Sequence, residues 1–121
     1  MKYDELYHSF KRTFPEDQAF FEKMERENLI DETVGMHPIF GLVVVPYIMR
    51  NLCEKNIANV EKIFSFLEEM TVCEDADVAG VLDFTVLEHL VDEGHAFITE
   101  CKRYMGKNTL EHCEEVEKYF L

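Results

Sequence analysis

The chain has 121 residues, 47% of them hydrophobic and 12% aromatic, enough apolar surface for one folded core and too much for a disordered segment. Twenty-five acids against 12 bases leave a formal charge of −13, which excludes phosphate backbones and anionic lipid surfaces as natural partners and favours a basic protein. A single domain over residues 1–121 is expected.

Apolar residues recur at helical spacing and strict alternation is nearly absent, so the sequence predicts an all-α fold of about seven helices. Tyr3, Leu6, Tyr7 and Phe10 form one stripe on a first helix. Pro15 suits the first turn of a second, where its missing N–H costs nothing, and Glu16 and Asp17 follow at the positive end of the helix dipole. Phe20, Phe21 and Met24 supply its core face, and it fades near Leu29. Residues 39–49 (IFGLVVVPYIM) are ambiguous: three consecutive valines favour a strand, whereas length and helical neighbours favour a buried helix. Helix is the reading taken, with Pro46 expected to kink or divide it.

Asn56 is expected to cap a fourth helix, with Ile57, Val60, Phe64 and Leu67 on one face and Ile63, Phe66 and Met70 widening it. A fifth, from about Asp77 to Leu90, is apolar on more than one side and therefore central. Gly94 separates it from a sixth bearing Phe97, Cys101 and Tyr104, which Gly106 is expected to close in a left-handed conformation. Thr109 then caps a seventh, with Leu110, Cys113, Val116 and Phe120 facing inward. Short connectors suggest antiparallel pairs. Pairing helices three with four and five with six gives units of roughly 30 to 40 residues, near the HEAT-type period. A small irregular bundle is the alternative.

No run approaches the roughly 18 apolar residues of a membrane span, and the opening Met-Lys-Tyr-Asp-Glu is too acidic for a signal peptide, so a cytoplasmic protein is expected. Cys53, Cys73, Cys101 and Cys113 show no C-x-x-C spacing and read as reduced thiols.

The acidity is regional. From Ile63 to Cys101 there is no lysine or arginine, yet ten acids fall there: Glu68, Glu69, Glu74, Asp75, Asp77, Asp83, Glu88, Asp92, Glu93 and Glu100. An ordinary solvated helix mixes signs, because Glu and Lys four residues apart stabilise it by about 0.2–0.5 kcal/mol while like charges cost as much. Carboxylates near helix C-termini also oppose the dipole. Nine of these acids, all except Glu100, are therefore taken as a partner-binding surface, expected as one patch at the loop end of the helices. Tyr3, Tyr7, Tyr47, Tyr104 and Tyr119 are candidate interface anchors or boundary core.

Other chemistry finds little support. Asp75, Asp77, Gly80 and Asp83 match part of a calcium loop, but Ala79 and Val86 stand at two ligand positions. His95, Cys101, His112 and Cys113 fit no zinc spacing, and Glu5 with His8 supplies only one Glu-x-x-His where a di-metal bundle needs two. No Gly-rich phosphate loop, G-x-S-x-G or H-E-x-x-H occurs, and an acidic setting raises thiol pKa values. No metal, cofactor or catalytic residue is assigned, and a non-enzyme is expected.

IFSFLEEM, Asp75 to Asp77, VLDFTVLEHLVDE and CKRYMGKNTLEHCEEVEKYF together resemble small bacterial helical proteins, some similar to immunity proteins of contact-dependent inhibition and other polymorphic toxin systems. The likeness covers about residues 57–120 and carries over no site residues. It implies a protein that neutralises a basic toxin domain, a nuclease, whose phosphate-binding cleft an acidic surface would cover. The alternative is a helical-repeat scaffold or adaptor that binds another protein or peptide.

Overall fold

A computed structural model describes residues 1–120, and the fold is all-α with seven helices and no strand among them. α1 (residues 3–12) opens with a 3-10 turn and buries Leu6, Tyr7 and Phe10, the expected stripe. α2 (residues 15–27) begins at Pro15 and ends before Leu29, which takes a left-handed conformation at φ 54°. α3 is Met36–Cys53, α4 is Ile57–Thr71, α5 covers residues 76–92, α6 is His95–Lys102 and α7 covers residues 107–120. α5 packs against α3, α4, α6 and α7, the central place expected from its broad apolar surface.

Residues 39–49 lie within α3, and Pro46 does not divide it. The five residues before Val45 form a π-helical turn instead, in which the Val45 N–H donates to the Phe40 carbonyl five residues back. That wider turn gives the proline ring room beside the carbonyl four residues earlier, where a tight helix would clash. Val43, Val44 and Val45 are all buried, so packing on several sides overrides the strand preference of the run. α3 is also long and apolar enough to cross a membrane by length and composition, with mean hydropathy 1.2 over 18 residues, contrary to the expectation that no segment comes close. Its Ile39, Phe40, Tyr47 and Ile48 side chains are spent on the core.

The core is aromatic at one end. Phe10 lies 5.2 Å from Phe66 and 5.1 Å from Phe14, centroid to centroid, and meets Tyr47 edge to face at 5.9 Å. Tyr47 is fully buried, which removes it from the interface candidates. Its hydroxyl donates to Asp17, while the Asn59 amide donates to Asn51 Oδ1 at 3.1 Å and Asn51 donates to the Tyr47 carbonyl at 2.8 Å. This polar knot joins α2, α3 and α4. Among the described residues every buried side-chain N or O atom has a hydrogen-bond partner.

The α6 to α7 connection departs from expectation. Gly106 has φ −70° and ψ 171°, not a left-handed conformation, and it precedes α7 as its N-cap. A glycine is needed there for space: a Cβ would lie 2.6 Å from the Glu68 carboxylate. Thr109 sits inside the first turn, fully buried, and Phe120 is exposed instead of facing inward. The left-handed glycine is Gly94, at φ 120°, between α5 and α6.

Candidate partner-binding surface

α5 is built around an irregularity. Asp75 caps its start, accepting the Asp77 N–H at 3.0 Å, and residues Leu82–Leu87 then form a π-helical turn. Because such a turn holds more than four residues, Thr85, Val86 and Leu87 are buried in succession, while Asp83 and Phe84 are directed outward. The widened turn meets the π-helical turn of α3, where a Cβ on Gly41 would lie 3.5 Å from both Thr85 and His89. His37 Nδ1 and Thr85 Oγ1 share a 2.6 Å hydrogen bond, and His89 Nδ1 bonds the Thr85 carbonyl at 2.7 Å.

The nine predicted acids do not form one patch. Glu68 leaves the set: its carboxylate turns inward and caps α7. One oxygen accepts from the Thr109 N–H at 2.8 Å and the Thr109 hydroxyl at 2.7 Å, the other from the Asn108 N–H at 3.2 Å and the Asn108 amide at 2.9 Å. Burial works to raise the Glu68 pKa, but these bonds together outweigh it and hold the carboxyl below its ordinary value. Glu69, Glu74, Asp75 and Asp77 gather where α4 ends and α5 begins, with Asp75 partly committed to its capping bond. Glu88, Asp92 and Glu93 lie in the far part of α5 and just past it, about 18–25 Å along the axis from its start at 1.5 Å per residue. Asp83, between them, bonds His112 Nδ1 of α7 at 2.7 Å. Glu100 is held by Arg103 at 3.0 and 3.1 Å.

Among the described residues none of the nine pairs with a lysine or arginine, and Asp83 alone meets a histidine, His112. Setting aside the inward Glu68 and the histidine-bonded Asp83, seven carboxylates have no ion-pair partner among the described residues, spread over the last turn of α4, the connector and α5. The calcium-like residues Asp77, Gly80 and Asp83 lie on this continuous helix and do not wrap a loop. Cys101 and Cys113 are buried and His112 is engaged by Asp83; among the described residues no three His, Cys, Asp or Glu side chains are grouped to hold a metal ion.

A groove of about 610 Å³ lies beside this helix, between α5 and α7. Asp83 and Phe84 line it from α5, and Glu111, Glu114, Glu115 and Tyr119 from α7. Phe84 is 69% exposed and Tyr119 85% exposed. Lys118 at its edge is paired with Glu115 at 2.8 Å. The α7 acids escape a reading based on charge runs because lysines are interspersed in that stretch. Phe84 escapes because it lies off the stripe formed by Val78, Val81, Leu82 and Thr85, and nothing local shows whether another element covers it.

A family model, domain of unknown function DUF7674, matches residues 7–120, nearly the whole described chain. The chain belongs to this family. No curated protein and no solved structure matches it significantly. The α5 to α7 groove and the acids along α5 thus lie wholly within the DUF7674 domain.

Proposed function

We propose that this DUF7674 protein is a binding protein, not an enzyme, whose partner is a basic protein held on the acidic side of α5 and α7. The observation that carries this reading is the set of seven carboxylates, from the end of α4 through the connector and along α5, that have no ion-pair partner among the described residues. Leaving them unpaired forgoes local stabilisation of a few tenths of a kcal/mol per missing pair, a cost that an opposite charge on a partner offsets. Exposed aromatics beside them supply apolar contact, which charge alone lacks, and a polar rim around aromatic anchors is how protein interfaces are commonly built.

An immunity protein is the form of this function that best fits both the charge and the resemblance. In it, the acidic surface covers the phosphate-binding cleft of a nuclease toxin domain and denies it substrate. The test is to express the reading frames flanking the gene, each alone and together with this protein. One flanking frame is expected to encode a basic domain that is toxic alone, harmless in co-expression and recovered as a complex. If no flanking product binds the protein, the immunity reading fails.

A further inference from the structure

We propose that the groove between α5 and α7 is an arginine-reading site, in which a guanidinium from the partner lies against Phe84 and Tyr119 and is held by the surrounding carboxylates. The inference rests on the acidic-surface reading and deepens it by naming the chemistry that the groove selects. Two large aromatic side chains are exposed at one depression, Phe84 at 69% and Tyr119 at 85%, although ten phenylalanines and five tyrosines give the chain ample choice of where to bury rings. Neither ring is required by the core.

Four glutamates and aspartates border them, namely Asp83, Glu111, Glu114 and Glu115. The one lysine at the edge is paired with Glu115 and the one histidine is hydrogen-bonded to Asp83, while Glu111 and Glu114 have no ion-pair partner among the described residues. Guanidinium is the side-chain group that matches both elements at once. It is planar and weakly hydrated, so it stacks on an aromatic face, and its fork of N–H donors meets a carboxylate in two parallel hydrogen bonds. An ammonium offers a point charge without the plane. Phosphate, nucleic acid and anionic lipid are repelled by the same border, and a second copy of this acidic chain would bring like charge to like.

The experiment is a titration of the isotopically labelled full chain, followed by NMR, with blocked tetra-arginine and tetra-lysine peptides at matched salt. A double variant, Phe84→Ala with Tyr119→Ala, is run in parallel; both side chains are exposed, so the fold is retained and is checked by amide dispersion. The arginine peptide is expected to bind about fivefold more tightly than the lysine peptide. It should shift the Phe84 and Tyr119 ring resonances, and the double variant should lose the preference while keeping weak binding of both peptides. Equal binding of the two peptides with no movement of those rings overturns the arginine site and leaves the acidic-surface reading standing. Failure of both peptides to bind even at low salt overturns both.

Discussion

Removing Glu68 tests whether α7 is held by a cap borrowed from another helix. In Glu68→Ala the N–H groups of Asn108 and Thr109 lose their acceptor, and the fully buried Thr109 hydroxyl loses its partner as well. Leaving a buried polar group unsatisfied costs about 1–3 kcal/mol, and loss of a helix cap about 1 kcal/mol, so a destabilisation of about 2–4 kcal/mol is expected after allowing for non-additivity. Gly106→Ala should reach the same end by another route. Its Cβ would stand 2.6 Å from the Glu68 carboxylate and 3.0 Å from Cγ, and the side chain can move aside only by releasing the bonds to α7. The φ of −70° at Gly106 is one alanine adopts freely, so the backbone itself offers no objection. The two changes therefore remove one interaction, and in the Glu68→Ala background Gly106→Ala should cost nearly nothing or stabilise slightly by restricting the unfolded chain. Urea unfolding followed by far-ultraviolet circular dichroism gives all four corners of the cycle. Simple additivity, or a Glu68→Ala effect below about 0.5 kcal/mol, would refute the shared cap.

Acid should act through the same carboxylate and through Glu25. At Glu25, burial tends to raise the pKa, but bonds from Tyr7 at 2.6 Å and Lys11 at 2.9 Å bring it below the ordinary value. A carboxyl with a lowered folded pKa contributes stability that is present above its unfolded pKa and lost as pH falls through the folded one. The stability gap between the wild type and Glu68→Ala should hold near neutrality and shrink below about pH 4; unfolding midpoints that keep a constant gap would contradict the assignment. The thiols should divide by environment. Burial pushes Cys101 up to about 12 and Cys113 up to about 11, whereas Cys53 is exposed and Cys73 half-buried. A thiol reagent at mild alkaline pH should label Cys53 readily and Cys73 more slowly, with Cys101 and Cys113 reacting only on unfolding. Four fast equivalents in the native protein would mean that α6 and α7 are not packed as described.

The helical fold was legible because apolar spacing carries it: the stripe of α1, the cap at Asn56 and the break at Gly94 all lie where periodicity and turn chemistry put them. What was not legible depends on long-range partners. Gly106 follows an apparent helix end, and nothing local shows that a glutamate 38 residues earlier needs the space where its side chain would be. Thr109 resembles a cap by type, but the capping acceptor comes from α4. The accommodation of Pro46 and the burial of Thr85, Val86 and Leu87 in succession both rest on π-helical turns, and these two turns face each other across α3 and α5. Glu69 ends α4 and Glu88, Asp92 and Glu93 end α5 as periodicity suggests, whereas Asp77, expected in the connector, is already helical, and a helix about 24 Å long carries its two ends apart.

That separation changes which residues should be altered to test the central claim. Asp75 caps α5, so charge reversal belongs at Glu69, Glu74 and Asp77, all exposed and without ion-pair partners among the described residues. The most direct measurement is the association rate of the basic partner from the flanking frames, at low and high salt, for the wild type and for the triple lysine variant. The rate should fall steeply with salt for the wild type, and at low salt the triple variant should be slower by about tenfold with its circular dichroism spectrum unchanged. A rate that ignores both salt and the three substitutions would contradict an acidic surface that recruits a basic protein.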